Sequence, residues 1–444
     1  MTTPIFDFVK RYAESKTARF HMPGHKGAGD LGCEAYDITE ILGADVLYSA
    51  EGIIAESEEN ASRLFGTHRS YYSTQGSTLA ICAMLALATA GKRAPHILAA
   101  RNVHRAFISA AALLDIDAEF IYPSRASHLC ACPITAADVD EAIIKAEKTP
   151  SAVYITSPDY LGNIADVGGI AKVCKAHGIP LLVDNVHGAY LKFLPEDIHP
   201  ITLGAAMCAD SAHKTLPALT GSAYLHISKD YPEYAEGARR ALALFASTSP
   251  SYLTLCSLDL CNKRLAEDYR ERLSAVCGLC DRLKSLLRDL GYAVETGEPL
   301  KIVIDAASSG IPCEEIASAL RGEGVEPEFY DDEYLVLMAS PENTEDDFAR
   351  AERVLRSLSP NKTEKPATPH APKAHRREMS IREAVFAKSE IIPVEDALGR
   401  VCASPTVSCP PAVPIVISGE KITEEDIKLF KYYGIEKLSV LAQE

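Results

Sequence analysis

The chain has 444 residues, and 45 basic against 61 acidic side chains give it a formal charge of −16. This length predicts two or three domains with a substantial core. The acidic surplus argues against general nucleic-acid binding, because no basic stripe is available for phosphates. No apolar stretch reaches the roughly eighteen residues that cross a bilayer, and the charged N-terminus lacks the apolar core of a signal peptide. Thirteen cysteines then predict reduced thiols in a cytoplasmic protein.

Short apolar runs alternate with helical patterns up to residue 228. The stretches 78–89, 103–114 and 166–177 predict helices between these runs. The runs themselves predict strands at residues 96–101, 118–123, 152–157, 180–185, 207–210 and 222–228. The alternation predicts an α/β fold with a large, mostly parallel sheet that is covered on both faces. Ligands of such sheets bind beyond the carboxyl ends of the strands, so polar residues that follow a run are candidates for chemistry.

The pattern changes after residue 228. Residues 235–244 have a helical period, and residues 253–290 predict one long helix. Two strand-like runs, 300–306 and 334–340, lie among further helical patterns and predict a smaller α+β domain.

A segment rich in Pro, Ala and Lys, residues 361–378, predicts an extended linker. Together these patterns predict an N-terminal arm at 1–50, a large domain at 51–290, the small domain at 291–360, the linker, and a C-terminal module at 379–444.

One lysine directly follows a predicted strand. The sequence DSAHKT places Lys214 just beyond the run 207–210, where a ligand of the sheet would bind. Most lysines are solvated surface residues. A buried or crowded lysine, in contrast, loses its proton more readily and can form a Schiff base with a carbonyl group. From this segment alone the two interpretations have equal weight.

Three further segments are predicted near the same edge of the sheet. Asp184 ends the run LLVD, although an aspartate after a strand is most often a helix N-cap. The segment STQGST at 73–78 opens an Ala-rich helix, where small hydroxyl residues, a glycine and free N–H groups can bind an anion. That signal is weak alone, because Ser and Thr caps are common. His104 follows the run 96–101.

Together these features predict pyridoxal phosphate as the cofactor. It needs an anchor for its phosphate, a group that stacks on its ring, an anion at its pyridinium nitrogen and an amine for its aldehyde. The lysine follows the strand-end carboxylate by thirty residues (214 − 184 = 30). No Gly-x-Gly-x-x-Gly follows a predicted strand, so a dinucleotide lacks its main support.

Motifs along nearly the whole chain resemble those of the Orn/Lys/Arg decarboxylases, which are fold-type-I pyridoxal-phosphate enzymes. The chain is most similar to the short bacterial form without the N-terminal receiver-like domain. The matching motifs are FHMPGHKG (20–27), TEILGADVLYSAEGIIAESE (39–58), LFGTHRSYYSTQGST (64–78), ARNVHRA (100–106), VDNVHGAY (183–190), DSAHKTLPALTGSAYLH (210–226) and STSPSY (247–252). The resemblance implies decarboxylation of arginine, lysine or ornithine to the amine and CO₂, polyamine biosynthesis, and a homodimer or higher oligomer with active sites at the interface.

The resemblance also implies a role for each matching residue. Lys214 would hold the cofactor as an aldimine, Asp184 would pair with the pyridine nitrogen, and His104 would stack on the ring. Lys214 or a nearby histidine, for which His213 is the candidate, would return a proton to the substrate carbon. Glu328, in GVEPEF, would bind the distal cationic group of the substrate. The residues implied around the phosphate and the ring edge are Ser77, Thr78, His187, Ser211, His213 and, from the neighbouring subunit, Thr248.

Two C-terminal segments depart from the family pattern. An aromatic-Pro-Pro-Gly-Ile-Pro stretch reads CPPAVP at 409–414, and Pro-Gly-Glu reads Ser-Gly-Glu at 418–420. Both lie near the expected pocket entrance, so they affect the expected choice of substrate more than cofactor binding.

No metal site is expected. His21 and His25 have the spacing of a helical zinc pair, but Pro23 and Gly24 prevent a regular helix there. The pairs Cys130/Cys132 and Cys277/Cys280 each lack a second half.

Two alternatives stay open at this point. One is another enzyme on the same scaffold, such as an aminotransferase or a β-eliminating lyase, and the other is a non-catalytic paralogue. The first class commonly clamps a substrate carboxylate with arginine, whereas the candidate here is the acidic Glu328. A non-catalytic paralogue tends to lose the nucleophilic lysine, whereas Lys214 is present in this chain. Which basic amino acid is the substrate depends on pocket dimensions that sequence does not give.

Overall fold

The structure, a computed structural model, describes residues 1–123, 128–361, 373–405 and 412–443. The predicted linker and the CPPAVP stretch therefore lie partly outside the described residues. The helices are α1 (Pro4–Glu14), α2 (Ile53–Phe65), α3 (Gly76–Thr89), α4 (Arg105–Leu114), α5 (Ala136–Lys145), α6 (Val167–Ala176), α7 (Ala212–Thr215), α8 (Tyr234–Phe245), α9 (Tyr252–Ala266), α10 (Tyr269–Asp289), α11 (Ala306–Ser309), α12 (Cys313–Gly322), α13 (Glu345–Ser357), α14 (Ile381–Phe386) and α15 (Glu424–Tyr432). The strands are β1 (Arg69–Ser73), β2 (His96–Ala100), β3 (Asp117–Ile121), β4 (Ala152–Thr156), β5 (Leu181–Asp184), β6 (Met207–Ser211), β7 (Ala223–Ile227), β8 (Ala293–Val294), β9 (Lys301–Asp305), β10 (Phe329–Tyr330), β11 (Tyr334–Met338), β12 (Ser389–Pro393), β13 (Cys402–Ser404) and β14 (Lys437–Leu441).

The chain forms two compact units. The first contains residues 1–93, 150–157 and 167–270, and the second contains residues 94–149, 158–166 and 271–444. The finer division into arm, domains, linker and module stays a prediction.

In the first unit the strands follow the order β1-β7-β6-β5-β4. Strands β4, β5 and β6 are parallel, while β7 is antiparallel to both β6 and β1. Their runs are almost continuously buried, as in sheets that carry helices on both faces. The register pairs Thr156 with Asp184 and Asp184 with Ala209. The carboxyl ends of three neighbouring strands therefore lie at one edge of the sheet.

The second unit contains three groups of strands. Strands β2 and β3 are parallel to each other. The order β10-β11-β9-β8 forms an antiparallel sheet, in which the two predicted runs of the α+β domain pair as β9 and β11. The third sheet, β12-β14-β13, belongs to the C-terminal residues. Its core includes Val394, Ile415, Phe430 and Val440.

The prediction of one long helix over residues 253–290 is wrong. Helix α9 ends at Ala266 and α10 begins at Tyr269, because Glu267 leaves the helical region with φ −94° and ψ −90°. Tyr269 is fully buried, and its hydroxyl donates to the carbonyl of Thr215 at 3.0 Å. The first residue of α10 is therefore held by a tertiary contact, and no Gly or Pro marks the break in the sequence.

Three smaller features concern the segment 21–25, the cysteines and the character of the helices. Residues 21–25 form turns rather than a helix, as Pro23 and Gly24 predict. The cysteines of the described ranges form no disulfide. Within those ranges, none of the helices combines the length and the apolar character that crossing a membrane requires.

Candidate active site

A buried carboxylate lies at the carboxyl end of β5. Asp184 has no solvent exposure, and the Tyr154 hydroxyl of β4 donates to its Oδ2 at 3.0 Å. Its Oδ1 has no hydrogen-bond partner among the described residues. Burial raises the pKa of Asp184 to about 6, against the lowering effects of the Tyr154 hydrogen bond and the charge of Lys214. One oxygen of a buried, ionisable carboxylate is thus available to a cationic N–H donor.

Lys214 lies at the end of the neighbouring strand. Strand β6 ends at Ser211 and continues directly into the short helix α7, which contains Lys214. The lysine side chain is half-buried there. Its Nζ lies 3.2 Å from Nε2 of His187, a buried residue three positions after Asp184. The parallel register of β5 and β6 thus brings a carboxylate, an imidazole and an amine to one region. An amine beside an imidazole can pass a proton to it.

The start of α3 offers an anion site in the same unit. Its N-cap residue Gln75 makes no side-chain capping bond, and Gly76 adopts φ +71°, which favours glycine. The Ser211 hydroxyl donates to Ser77 Oγ at 2.9 Å, and Thr78 is exposed on the next position. Side-chain hydroxyls next to the first N–H groups of a helix are suited to bind a phosphate.

His213 has a defined tautomer. Its Nδ1 donates to the carbonyl of Ser222 at 3.0 Å, and burial lowers its pKa. The neutral ring therefore has its lone pair on Nε2, where it can accept a proton.

Three further predicted site residues belong to other elements of the chain. Thr248 is exposed in the connection between α8 and α9. His104 and Glu328 belong to the second unit. His104 is the N-cap of α4, and the exposed Glu328 precedes β10 and accepts a hydrogen bond from the Tyr160 hydroxyl at 2.8 Å. The roles of these three residues stay predictions.

A buried polar network behind the strand ends was not predicted from the sequence. Burial alone would raise the pKa of Asp210, but His199 and His226, at 2.9 and 3.3 Å from its Oδ2, hold it well below the usual range. Asn185 donates to the other oxygen at 2.7 Å. A histidine inside the apolar run of β7 was a readable signal, because a buried imidazole needs a partner.

This network also contains a possible metal-ligand set. His199, Cys208 and Asp210 offer ligand atoms that lie within 4.8 Å of one another. The backbone N–H of Ile201, however, donates to Nδ1 of His199 at 3.4 Å, which leaves the proton on Nε2. The contact between His199 and Asp210 is therefore accounted for as a hydrogen bond.

Tyr154 was also missed. It lies in the middle of the buried strand β4, where a tyrosine needs a hydrogen-bond partner for its hydroxyl. The partner, Asp184, belongs to a strand that pairs with β4, which sequence alone does not give.

The arrangement fits pyridoxal phosphate. The uncompensated Oδ1 of Asp184 suits a protonated pyridine nitrogen, Lys214 suits an aldehyde, and the start of α3 suits a phosphate. A solved structure of a lysine decarboxylase from Francisella novicida is similar over 99% of this chain and 81% of its own, with a TM-score of 0.84 and 17% identity. The fold is thus that of the fold-type-I pyridoxal-phosphate enzymes, as predicted.

Comparison with models of protein families assigns the chain to one family within the pyridoxal-phosphate enzymes. The model of the Orn/Lys/Arg decarboxylase major domain matches residues 3–288, and that of the C-terminal domain matches residues 363–438. The chain belongs to the Orn/Lys/Arg decarboxylase family. The family and the enzyme class predicted from the sequence, a pyridoxal-phosphate-dependent amino-acid decarboxylase, are therefore confirmed.

Two bacterial relatives, both named arginine decarboxylase, match nearly the whole chain. The Bacillus subtilis protein is 27% identical, covering 97% of this chain and 93% of its own. The Halalkalibacterium halodurans protein is 28% identical, covering 96% of this chain and 92% of its own.

The buried charge of Asp184 predicts a pH-dependent stability difference. The folded chain disfavours the charged carboxylate, so the penalty grows as pH rises from about 4 through 6 and is complete above that range. We expect the cofactor-free variant Asp184→Asn to be more stable than the wild type at pH 8, by at most about 3 kcal/mol, and to lose about half of this advantage at pH 5. Thermal unfolding at both pH values measures this.

The matched control is Asp230→Asn, an exposed aspartate that pairs with Lys175. It should show no such pH-dependent difference. A destabilised Asp184→Asn at pH 8 would contradict the assigned penalty.

Proposed function

We propose that the chain decarboxylates a basic amino acid with pyridoxal phosphate bound at the edge formed by β5, β6 and α3. The observation that carries the proposal is the fully buried Asp184, whose Oδ1 lacks a hydrogen-bond partner among the described residues. An acidic group in that state favours a cationic N–H, and a protonated pyridine nitrogen supplies one. Bound there, the cofactor supplies the electron sink for the bond that loses CO₂.

Each side chain has a role that follows from its contacts. Lys214 attaches the aldehyde, and His187 Nε2, 3.2 Å from Nζ, accepts the proton that the lysine must lose to act as a nucleophile. Asp184 keeps a proton on the ring nitrogen. Lys214 or His213 then returns a proton to the substrate carbon, since the neutral His213 ring can carry one on Nε2.

The cofactor's remaining contacts follow from the family resemblance. Ser77 and Ser211, which share a hydrogen bond, would bind the phosphate together with Thr78 and the first turn of α3. His104 would stack on the ring. The exposed Thr248 would reach a phosphate in a neighbouring subunit, so we propose a homodimer or higher oligomer. We also propose that the protein acts in the cytoplasm, in polyamine biosynthesis.

For the substrate, we propose arginine or lysine ahead of ornithine. Relatives over the full chain are named arginine decarboxylase. Glu328 offers an exposed carboxylate whose position is fixed by the Tyr160 hydroxyl at 2.8 Å, and a carboxylate of this kind pairs with a guanidinium or ammonium group.

The first test is covalent attachment of the cofactor. Mixing the purified chain with pyridoxal phosphate should produce the visible absorbance band of a lysine-bound aldehyde, and Lys214→Ala should lack that band. Lys192→Ala is the matched control, because Lys192 is engaged by Asp197 and should leave the band unchanged. A band that survives in Lys214→Ala would reject the assignment of this lysine.

The second test is the reaction itself. We expect CO₂ and the matching amine from arginine or lysine, and none from norleucine, which lacks the distal cation. Transfer of the amino group to a keto acid without CO₂ release would instead favour the aminotransferase alternative. The absence of both cofactor binding and turnover would favour the non-catalytic paralogue.

Glu328 can be tested separately. Glu328→Gln keeps an acceptor for Tyr160 but removes the charge, so we expect KM for the basic substrate to rise about tenfold, since an ion pair is lost, with a smaller change in kcat. Glu326→Gln is the control, because that exposed carboxylate pairs with Arg321. Equal KM values for the two variants would argue against a substrate role for Glu328.

A further inference from the structure

The second unit contains a buried arginine directly after β2. Arg101 is 3% exposed, and its guanidinium lies over the Phe120 ring at 5.6 Å. Nη1 donates to the carbonyl of Pro414 at 2.9 Å, and Nη2 donates to that of Ile415 at 2.8 Å. Desolvation of a buried cation is costly, and Nε of this guanidinium has no hydrogen-bond partner among the described residues, so the bonds to these two carbonyls stabilise the folded chain. Arg101 and this stretch of the C-terminal residues therefore require each other.

The same stretch, residues 412–415, also binds the start of α4. The carbonyl of Ala412 accepts a hydrogen bond from the backbone N–H of Arg105 at 3.0 Å. Ala412 has φ +56°, a left-handed conformation that L-residues other than Asn and Asp rarely adopt. The first N–H groups of a helix lack partners within the helix, so this carbonyl satisfies one of them. The stretch 412–415 is thus held in an unfavourable conformation by contacts at both of its ends.

His104 shares this helix end. It is the N-cap of α4, and its Nδ1 accepts a hydrogen bond from the N–H of Ala106 at 3.1 Å. Two consecutive N–H groups of the first turn, those of Arg105 and Ala106, are therefore satisfied by Ala412 and by the His104 ring. A shift of the stretch 412–415 would release the first group and loosen the turn that orients the ring.

We propose that Arg101 is a positioning residue for His104: by holding the stretch 412–415 against the first turn of α4, it fixes the imidazole that stacks on the cofactor. This inference rests on the proposed function, in which His104 contacts the pyridine ring. It gives the C-terminal residues a part in cofactor binding without any direct contact with the cofactor.

The test compares variants of Arg101 in the full chain. Arg101→Met keeps the length of the side chain and removes its hydrogen bonds, while Arg101→Lys keeps the charge and can satisfy one carbonyl. We expect affinity for pyridoxal phosphate, measured by titration, to fall about tenfold in Arg101→Met, as for the loss of an orienting interaction, and to be intermediate in Arg101→Lys. The circular dichroism induced in the cofactor's absorbance band should weaken in the same order, because it reports the orientation of the ring.

Arg382 provides a matched control. It also donates from one guanidinium to two consecutive carbonyls, those of Ala112 and Leu113, but at the opposite end of α4. Arg382→Met should lower the thermal midpoint and leave the affinity and the induced signal unchanged. If Arg101→Met behaves like Arg382→Met, the positioning role is overturned.

Two outcomes separate this inference from the proposed function. A wild type that forms the lysine-bound band, together with normal affinity in both Arg101 variants, rejects the inference alone. A wild type without saturable cofactor binding rejects both. If Arg101→Met fails to fold, Arg101→Lys decides, since it retains the charge and one hydrogen bond.

Discussion

A carboxylate without solvent at the end of a parallel strand is the constraint on which the site depends. Asp184 is fully buried, the Tyr154 hydroxyl donates to its Oδ2, and its Oδ1 has no hydrogen-bond partner among the described residues. In an apolar interior such a group is stable as an anion only beside a cation. Lys214 supplies a positive charge nearby, and a protonated cofactor nitrogen would supply a second one. The folded chain thus keeps an unfavourable charge in place, which a bound cationic ligand would compensate.

The surrounding polar residues keep this edge of the sheet rigid. Asp210 is held as an anion by two histidines and accepts from Asn185, which follows Asp184 directly. The next residue after Asp210, Ser211, donates to Ser77 at the start of α3. Strand β6 therefore links the carboxylate region, the phosphate region and the lysine. Hydrogen bonds of this kind between neighbouring strands hold side chains in one geometry, which a preorganised site requires.

The sequence predicts the alternation of strands and helices well, since β2 to β7 differ from the predicted runs by at most two residues at each end. Lys214 and Asp184 could be selected because each follows an apolar run. Tyr154 could not be assigned a partner, since strand order is a tertiary property. The break at Glu267 was also unreadable, because no local breaker marks it and the nearby contact of Tyr269 with Thr215 is a tertiary one. Roles of His104, Thr248 and Glu328 came from resemblance rather than from pattern.

Helix α4 makes hydrogen bonds with the C-terminal residues at both ends: the Arg105 N–H donates to the carbonyl of Ala412, and the Arg382 guanidinium donates to the carbonyl of Ala112. Stretches far apart in sequence, 94–149 and 271–444, also belong to one compact unit. A shortened fragment that stopped near residue 361 would consequently lose the acceptors of the buried Arg101 guanidinium and the C-terminal hydrogen-bond partners at both ends of α4. The boundary between the two matched family domains is therefore a poor place to divide the chain for expression, because the C-terminal residues form part of the same compact unit.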